Sequence, residues 1–159
     1  ALIEAAAQAG IRITLLDTCY LTASVGGDAL QGPALRFGDG TAAAWAARVA
    51  ELTAGPHALI GAAIHSVRAV PRDQMPEVAA WAAGRPLHAH LSEQRAENDA
   101  AVAAHGRTPT ALLAEAGALG PRSTVVHATH LTDRDVETLG ATRTRACLNQ
   151  YQQSHCCPV

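Results

Sequence analysis

Two rhythms of apolar and polar positions alternate along the 159 residues of this chain. Short, nearly continuous apolar runs occupy positions 11–16, 58–64, 87–91, 123–128 and 142–148, and each reads as a strand. Between them lie stretches with apolar residues at helical spacing. Trp45, Val49 and Leu52 fall at i, i+4 and i+7 of a helix predicted over 41–53, which stops at Gly55-Pro56. Further helices are predicted over 4–9, 73–83 (closed by Gly84), 94–104, 108–117 (Thr108 as cap, Pro109 in the first turn) and 132–140. Positions 23–40 read as a polar, glycine-rich loop. The unbroken apolarity of 58–64 suits a strand of a parallel sheet covered on both faces.

Five strands alternating with helices imply right-handed crossovers and a parallel sheet. Such sheets are either open and doubly wound or closed as an eight-stranded barrel. No Gly-x-Gly-x-x-Gly follows any strand, which argues against a dinucleotide-binding sheet. Polar residues gather instead where several strands end: Asp17 and Tyr20, His65 and Arg68, His90 and Glu93, His127 and His130. An active face assembled from many strand ends is the layout of a (β/α)8 barrel. A full barrel needs eight such units and about 250 residues. The predicted fold class is therefore α/β, an incomplete TIM (β/α)8 barrel of about five parallel strands with flanking helices.

Composition narrows the function classes. Hydrophobic residues make up 48% but aromatics only 3%, so the core depends on Leu, Ile, Val and Ala. A net charge of −2 with both signs scattered argues against a nucleic-acid surface. No apolar run approaches the roughly 18 residues of a membrane span. No signal-type segment opens the chain, so the expected location is cytoplasmic, or the chain is a piece of something longer. Cysteines 19, 147, 156 and 157 form no Cys-x-x-Cys pair, and reduced thiols are expected. Positions 149–159 turn abruptly polar and glutamine-rich. Residues 1–148 are thus read as one partial barrel domain and 149–159 as an atypical tail, for which a non-native origin is as good an explanation as a genuine loop.

The chemistry concentrates in Leu87-His88-Ala89-His90-Leu91-Ser92-Glu93-Gln94 and Val125-Val126-His127-Ala128-Thr129-His130. On a strand, His88 and His90 share a face. A neutral imidazole at a strand end is a good ligand for zinc or iron. Glu93, three residues on, comes within reach of a water that it can deprotonate, passing the proton to a leaving nitrogen. A satisfied core histidine is the competing reading of His-x-His alone. His127, on the neighbouring strand, is either a second ligand or a group that polarises a developing tetrahedral centre. Arg68 suits bidentate capture of a carboxylate or phosphate, with a solvated surface arginine as the alternative.

These two runs resemble the metal-dependent amidohydrolase superfamily, in its deaminase branch with the guanine and S-adenosylhomocysteine deaminases. Adding 65–70 and 142–148, the chain is most similar to the formimidoylglutamate deiminases, over barrel strands three to seven. The resemblance implies a metal-dependent hydrolase that converts N-formimino-L-glutamate and water to N-formyl-L-glutamate and ammonia. It implies His90 as the metal ligand, with zinc the first choice and iron the alternative. It implies Glu93 as proton shuttle and His127 beside the water and substrate. His65 and Arg68 would hold substrate carboxylates, Tyr20 would border the pocket, and His88 would not be a ligand. The family's first-strand His-x-His and eighth-strand aspartate do not occur in these residues, so little activity is expected of the chain alone. The expected partner is a small-molecule substrate, with no nucleic acid and no membrane, and a homo-oligomer is open. The alternatives are another amidohydrolase, such as a purine-type deaminase or chlorohydrolase, and a non-catalytic α/β fragment.

Overall fold

Each apolar run becomes a strand, and the strands lie side by side in the order of the sequence. The computed structural model, which describes residues 1–149, places β1 (Ile13–Cys19), β2 (Ala58–Ile64), β3 (Leu87–Leu91), β4 (Ser123–His127) and β5 (Arg145–Cys147) in one sheet ordered β1-β2-β3-β4-β5. Every neighbouring pair is parallel. A doubly wound sheet reverses its strand order at a switch point, and this one never does. The arrangement is that of consecutive staves of a (β/α) barrel, as the spacing predicted.

Among the described residues six α-helices accompany the strands: α1 (Leu2–Gln8), α2 (Ala42–Ala50), α3 (Met75–Trp81), α4 (Arg95–His105), α5 (Pro109–Glu115) and α6 (Asp133–Thr142). Threonines start three of them. Thr41 accepts from the Ala44 amide at 3.1 Å and Thr108 from the Ala111 amide at 3.2 Å. Thr132 and Asp135 form a reciprocal capping box on α6. The buried Asp135 does more than cap its own helix. Its second oxygen accepts from the Thr108 hydroxyl at 2.6 Å, so one carboxylate joins the starts of α5 and α6.

Some boundaries move. The first strand begins at Ile13 and runs to Cys19, because its ladder follows β2 from Ile13 opposite Ala58 to Cys19 opposite Ile64. The loop over 23–40 contains a 3₁₀ helix at Gly32–Phe37. The last helix passes Gly140 and ends at Arg143, which takes the left-handed cap conformation (φ 57°) usually left to glycine.

One face of the sheet is sealed by the helices and the other is not. Trp45 and Val49 of α2, Met75 and Val78 of α3, Leu112 and Leu113 of α5 and Leu139 of α6 pack against Ala62, Ile64, Ala89, Leu91 and Val125. On β3 and β4, the residues between the buried ones, His88, His90, Thr124 and Val126, are only half-buried. Of these, His88, His90 and Val126 share the opposite face with Leu16, Thr18 and His65 around a common hollow. Coverage on both faces, expected for β2, is therefore not what the structure has: Leu59 is 60% exposed on the uncovered face. Apolarity in β2 reflects a barrel-interior surface rather than a second helical layer.

Asp17, grouped with Tyr20 by sequence, faces the helices. Its carboxylate accepts from Trp45 Nε1 at 3.0 Å and from two Arg48 nitrogens at 2.9 and 3.0 Å, while Arg48 also grips Asp39. It ties β1 to α2. The neighbouring Cys19 is buried and free, and burial pushes its thiol up to about 12, so it stays protonated.

Gly61 is where the strands tolerate no side chain. A Cβ there would lie 2.7 Å from the Pro86 carbonyl oxygen and 2.8 Å from Leu16 Cδ2. That carbonyl also accepts from the Ala62 amide at 2.9 Å, so it cannot yield freely. We expect Gly61→Ala to lower unfolding free energy by about 1–3 kcal/mol, the range for overpacking, in urea denaturation followed by circular dichroism.

Candidate active site

The uncovered face ends, at the C-terminal tips of the strands, in a strip of rings. Tyr20 follows β1, His65 follows β2, His90 is in β3 and His127 closes β4. Consecutive rings touch: Tyr20 to His65 at 4.6 Å, His65 to His90 at 5.0 Å, and His90 to His127 at 5.4 Å between centroids. Parallel register lines up these tips, so sequence-distant residues meet. All six expected site residues come together along this strip.

His90 is fixed by its neighbour's backbone. The His65 carbonyl accepts the His90 amide at 3.1 Å and, at 2.8 Å, His90 Nδ1. A carbonyl can only accept, so Nδ1 carries a proton and, in the neutral ring, Nε2 keeps the lone pair. That is the tautomer a metal ligand needs, held by the outer contact such ligands commonly have. His90 thus fits one ligand position. Among the described residues no group of three or more His, Cys, Asp or Glu side chains could hold an ion, so what fits is one ligand of a site and not a whole one.

His127 reaches the strip by leaving strand geometry. Ser123 and Val125 are buried on the helix side, and alternation alone would send His127 the same way. Instead His127 and Ala128 adopt φ 75° and 51°. The ring stacks on His90, and its Nε2 lies 3.7 Å from Glu93 Oε2. Ser92, just before Glu93, has φ 48° and is fully buried. Three of the four non-glycine residues at positive φ among the described residues therefore flank the Glu93–His127 contact. Non-glycine residues there cost of order 1–3 kcal/mol and persist only when their surroundings hold them.

At the other end, Arg68 Nη1 donates to the Tyr20 hydroxyl at 3.4 Å and to the Ala23 carbonyl at 3.2 Å. Arg68 is half-buried, and these two contacts hold its guanidinium at the edge of the strip. Burial first, then His90 and Arg68, pushes His65 down to about 4, so its ring is neutral at neutral pH. His65, Arg68, His90, Glu93 and His127 line a cavity of about 460 Å3. A larger hollow, about 940 Å3, borders β1 and shares His65, with Tyr20 on its wall. We place the candidate site in the smaller one because the carboxylate and the imidazoles converge there. His88 lies a layer deeper on the same face, where burial pushes its ring below the ordinary histidine range. His130 is a loop residue, as its position suggested.

Sequence reasoning missed Glu97. It is three residues beyond Gln94, the residue preceding α4, where acids commonly reach back to amides. Its carboxyl accepts a hydrogen bond from the Glu93 backbone, and its Oε1 is buried with no hydrogen-bond partner among the described residues. Burial pushes it up to about 7, against the smaller pull of the Glu93 backbone and Arg68. The Glu-x-x-x-Glu spacing was the available signal.

Comparison with known proteins places this geometry in context. The amidohydrolase family matches residues 1–159. A formimidoylglutamate deiminase of Pseudomonas aeruginosa is 38% identical over 142 residues, covering 86% of this chain and 31% of its own length. A 5-methylthioadenosine/S-adenosylhomocysteine deaminase of Syntrophobacter fumaroxidans is 46% identical over 55 residues, 35% of this chain and 13% of that protein. Among solved structures, an atrazine chlorohydrolase from Arthrobacter aurescens TC1 complexed with zinc superposes with a TM-score of 0.81 at 16% identity, over 96% of this chain and 35% of that one. The chain spans about a third or less of these proteins.

Glu97 gives the stability of the chain a pH signature. Its folded value is raised from 4.5 to about 7, so the folded state holds a proton that the unfolded state has released. The associated stability is complete below 4.5 and is lost as pH rises through 7. Glu97→Gln keeps an acceptor for the Glu93 amide and removes the titration. We expect the variant to gain on the parent protein between pH 5 and pH 8 in paired urea unfolding curves; a constant difference would refute the shielded carboxyl.

Proposed function

Because the chain belongs to the amidohydrolase family, we propose that it forms part of a hydrolase that acts on a non-peptide C–N bond and deiminates N-formimino-L-glutamate. Water adds to the formimino carbon, the C–N bond to the terminal nitrogen breaks, and N-formyl-L-glutamate and ammonia leave. The observation that carries this reading is the strip itself, with a guanidinium at one end and a carboxylate–imidazole pair at the other. The 38% identity to a formimidoylglutamate deiminase over most of the chain supports the substrate.

In this reading Glu93 takes the proton from the attacking water and delivers it to the departing nitrogen, the usual double duty of a positioned carboxylate. His127, buried beside it, hydrogen-bonds the water and the charge that develops at the reacting carbon. Arg68 and the neutral His65 hold substrate carboxylate, with Tyr20 bordering them. His90 offers Nε2 to a divalent ion, zinc first and iron second, the remaining ligands coming from outside the described residues. When bound, such an ion acts as a Lewis acid and brings the pKa of water to about 7. The neutral ring of His65 leaves Arg68 as the positive charge facing the substrate's anionic groups.

A second reading, deamination of an adenosine-type purine, has the local similarity around 46% identity in its favour. Arg68 argues for the first, since a guanidinium recognises a carboxylate bidentately.

The test is ammonia release from N-formimino-L-glutamate by the zinc-loaded polypeptide carrying this sequence. We expect Glu93→Gln to cut kcat by about 10²–10⁴-fold, the usual contribution of a general acid–base. Arg68→Met is expected to raise KM about tenfold or more, as one charge-assisted pair is lost. Release from a purine nucleoside, with Arg68→Met unaffected, would transfer the assignment to the second reading. With a single ligand among its described residues, the 159-residue chain alone is expected to turn over slowly or not at all.

A further inference from the structure

The Glu93–His127 contact joins two loops that belong to different βα units, and something must hold those loops together. Two backbone hydrogen bonds begin the connection: the Ala128 amide donates to the Leu91 carbonyl at 2.9 Å, and the His130 amide to the Ser92 carbonyl at 3.1 Å. These continue the β3–β4 ladder past the end of β4, into backbone that has already turned left-handed at His127 and Ala128. Backbone in that region does not keep itself in place. A third connection comes from a side chain. Asn98 Nδ2, in the first turn of α4, donates to the His130 carbonyl at 2.6 Å across 32 residues of sequence.

We infer that Asn98 is a positioning residue, whose amide ties the His127–His130 loop to α4 and so sets His127 against Glu93. This rests on the proposed pairing of those two residues. The geometry is economical, because the adjacent Glu97 holds the backbone of Glu93 itself. The first turn of α4 thus grips both partners through consecutive side chains, one from each side of the contact. Asn98 is half-buried, and its Oδ1 is buried with no hydrogen-bond partner among the described residues. Its amide is spent on one carbonyl.

The consequence is that Asn98 controls alignment and not substrate capture, since it does not line the cavity. Misplacing a reacting group by about 1 Å can cost 10²-fold in rate. Asn98→Asp keeps the shape and removes the donor; Asn98→Ala removes both without setting a carboxylate against a carbonyl.

Nuclear magnetic resonance of the 159-residue chain tests this without substrate or metal. In the parent protein, Glu93→Gln should move the His127 ring resonances, because the two side chains are in contact. In either Asn98 background that response should fall to less than half, and the His130 amide should exchange with solvent at least tenfold faster while β3 and β4 amides keep their protection. An unchanged ring response and unchanged exchange in a folded Asn98 variant would overturn the inference. Failure of both variants to fold would assign Asn98 to the scaffold and overturn it equally. In turnover of N-formimino-L-glutamate, Asn98→Asp should lower kcat about tenfold or more with KM within twofold; a KM effect alone would also count against it. Absence of turnover in the zinc-loaded polypeptide carrying this sequence, the protein in which that comparison is made, would refute the substrate reading and leave the resonance measurement to decide Asn98.

Discussion

The carbonyl oxygen of His65 accepts two hydrogen bonds from His90, one from the backbone and one from the ring. The first bond is an ordinary rung between parallel strand ends; the second sets a tautomer. Because both come from a single oxygen, the electronic state of the imidazole is welded to the register of the sheet. A slip of one residue between β2 and β3 would turn His90 to the helix side and remove its proton's acceptor at once. The ring contacts of His65 and His127, and with them the approach of Glu93, presuppose that rung. The helical layer, with Trp45, Met75 and Leu112 at its centre, has the corresponding task of keeping the register unique.

Much of this was legible because parallel βα units write themselves plainly. The runs at 58–64 and 87–91 matched their strands residue for residue, and Thr41, Thr108 and Thr132 marked helix starts through chemistry local to the chain. The six candidate residues were readable for the same reason: each sits where an apolar run ends, and parallel strands bring such ends to one rim. What stayed hidden depends on the third dimension. Whether β2 is covered on one face or two follows from curvature, which apolarity does not encode. Asp17 looked like a rim residue by position, yet strand parity turns it to Trp45 and Arg48. Glu97 and Asn98 looked like ordinary helix polarity, and only burial and a carbonyl from another unit distinguish them.

The site divides its electrostatic labour. Arg68 and the neutral His65 give one end a single positive charge, and Glu93 beside His127 gives the other end a carboxylate. A substrate carrying anionic groups remote from its reacting carbon would be oriented by that polarity before any close contact formed. The described residues present one metal-ligand candidate within this arrangement.

The left-handed backbone at Ser92, His127 and Ala128 carries a further meaning for how such a sequence can change. Glycine at 92 or 128 would relieve the conformational penalty and firm up the fold locally, at no loss of a reacting group. It would also widen the range of backbone angles available to the residues on either side. Stability and alignment therefore pull in opposite directions at the same two positions. A lineage selected only for folding would drift toward glycine there, and a lineage selected for precise chemistry would resist it. The residue found at each position is then a record of which demand has prevailed.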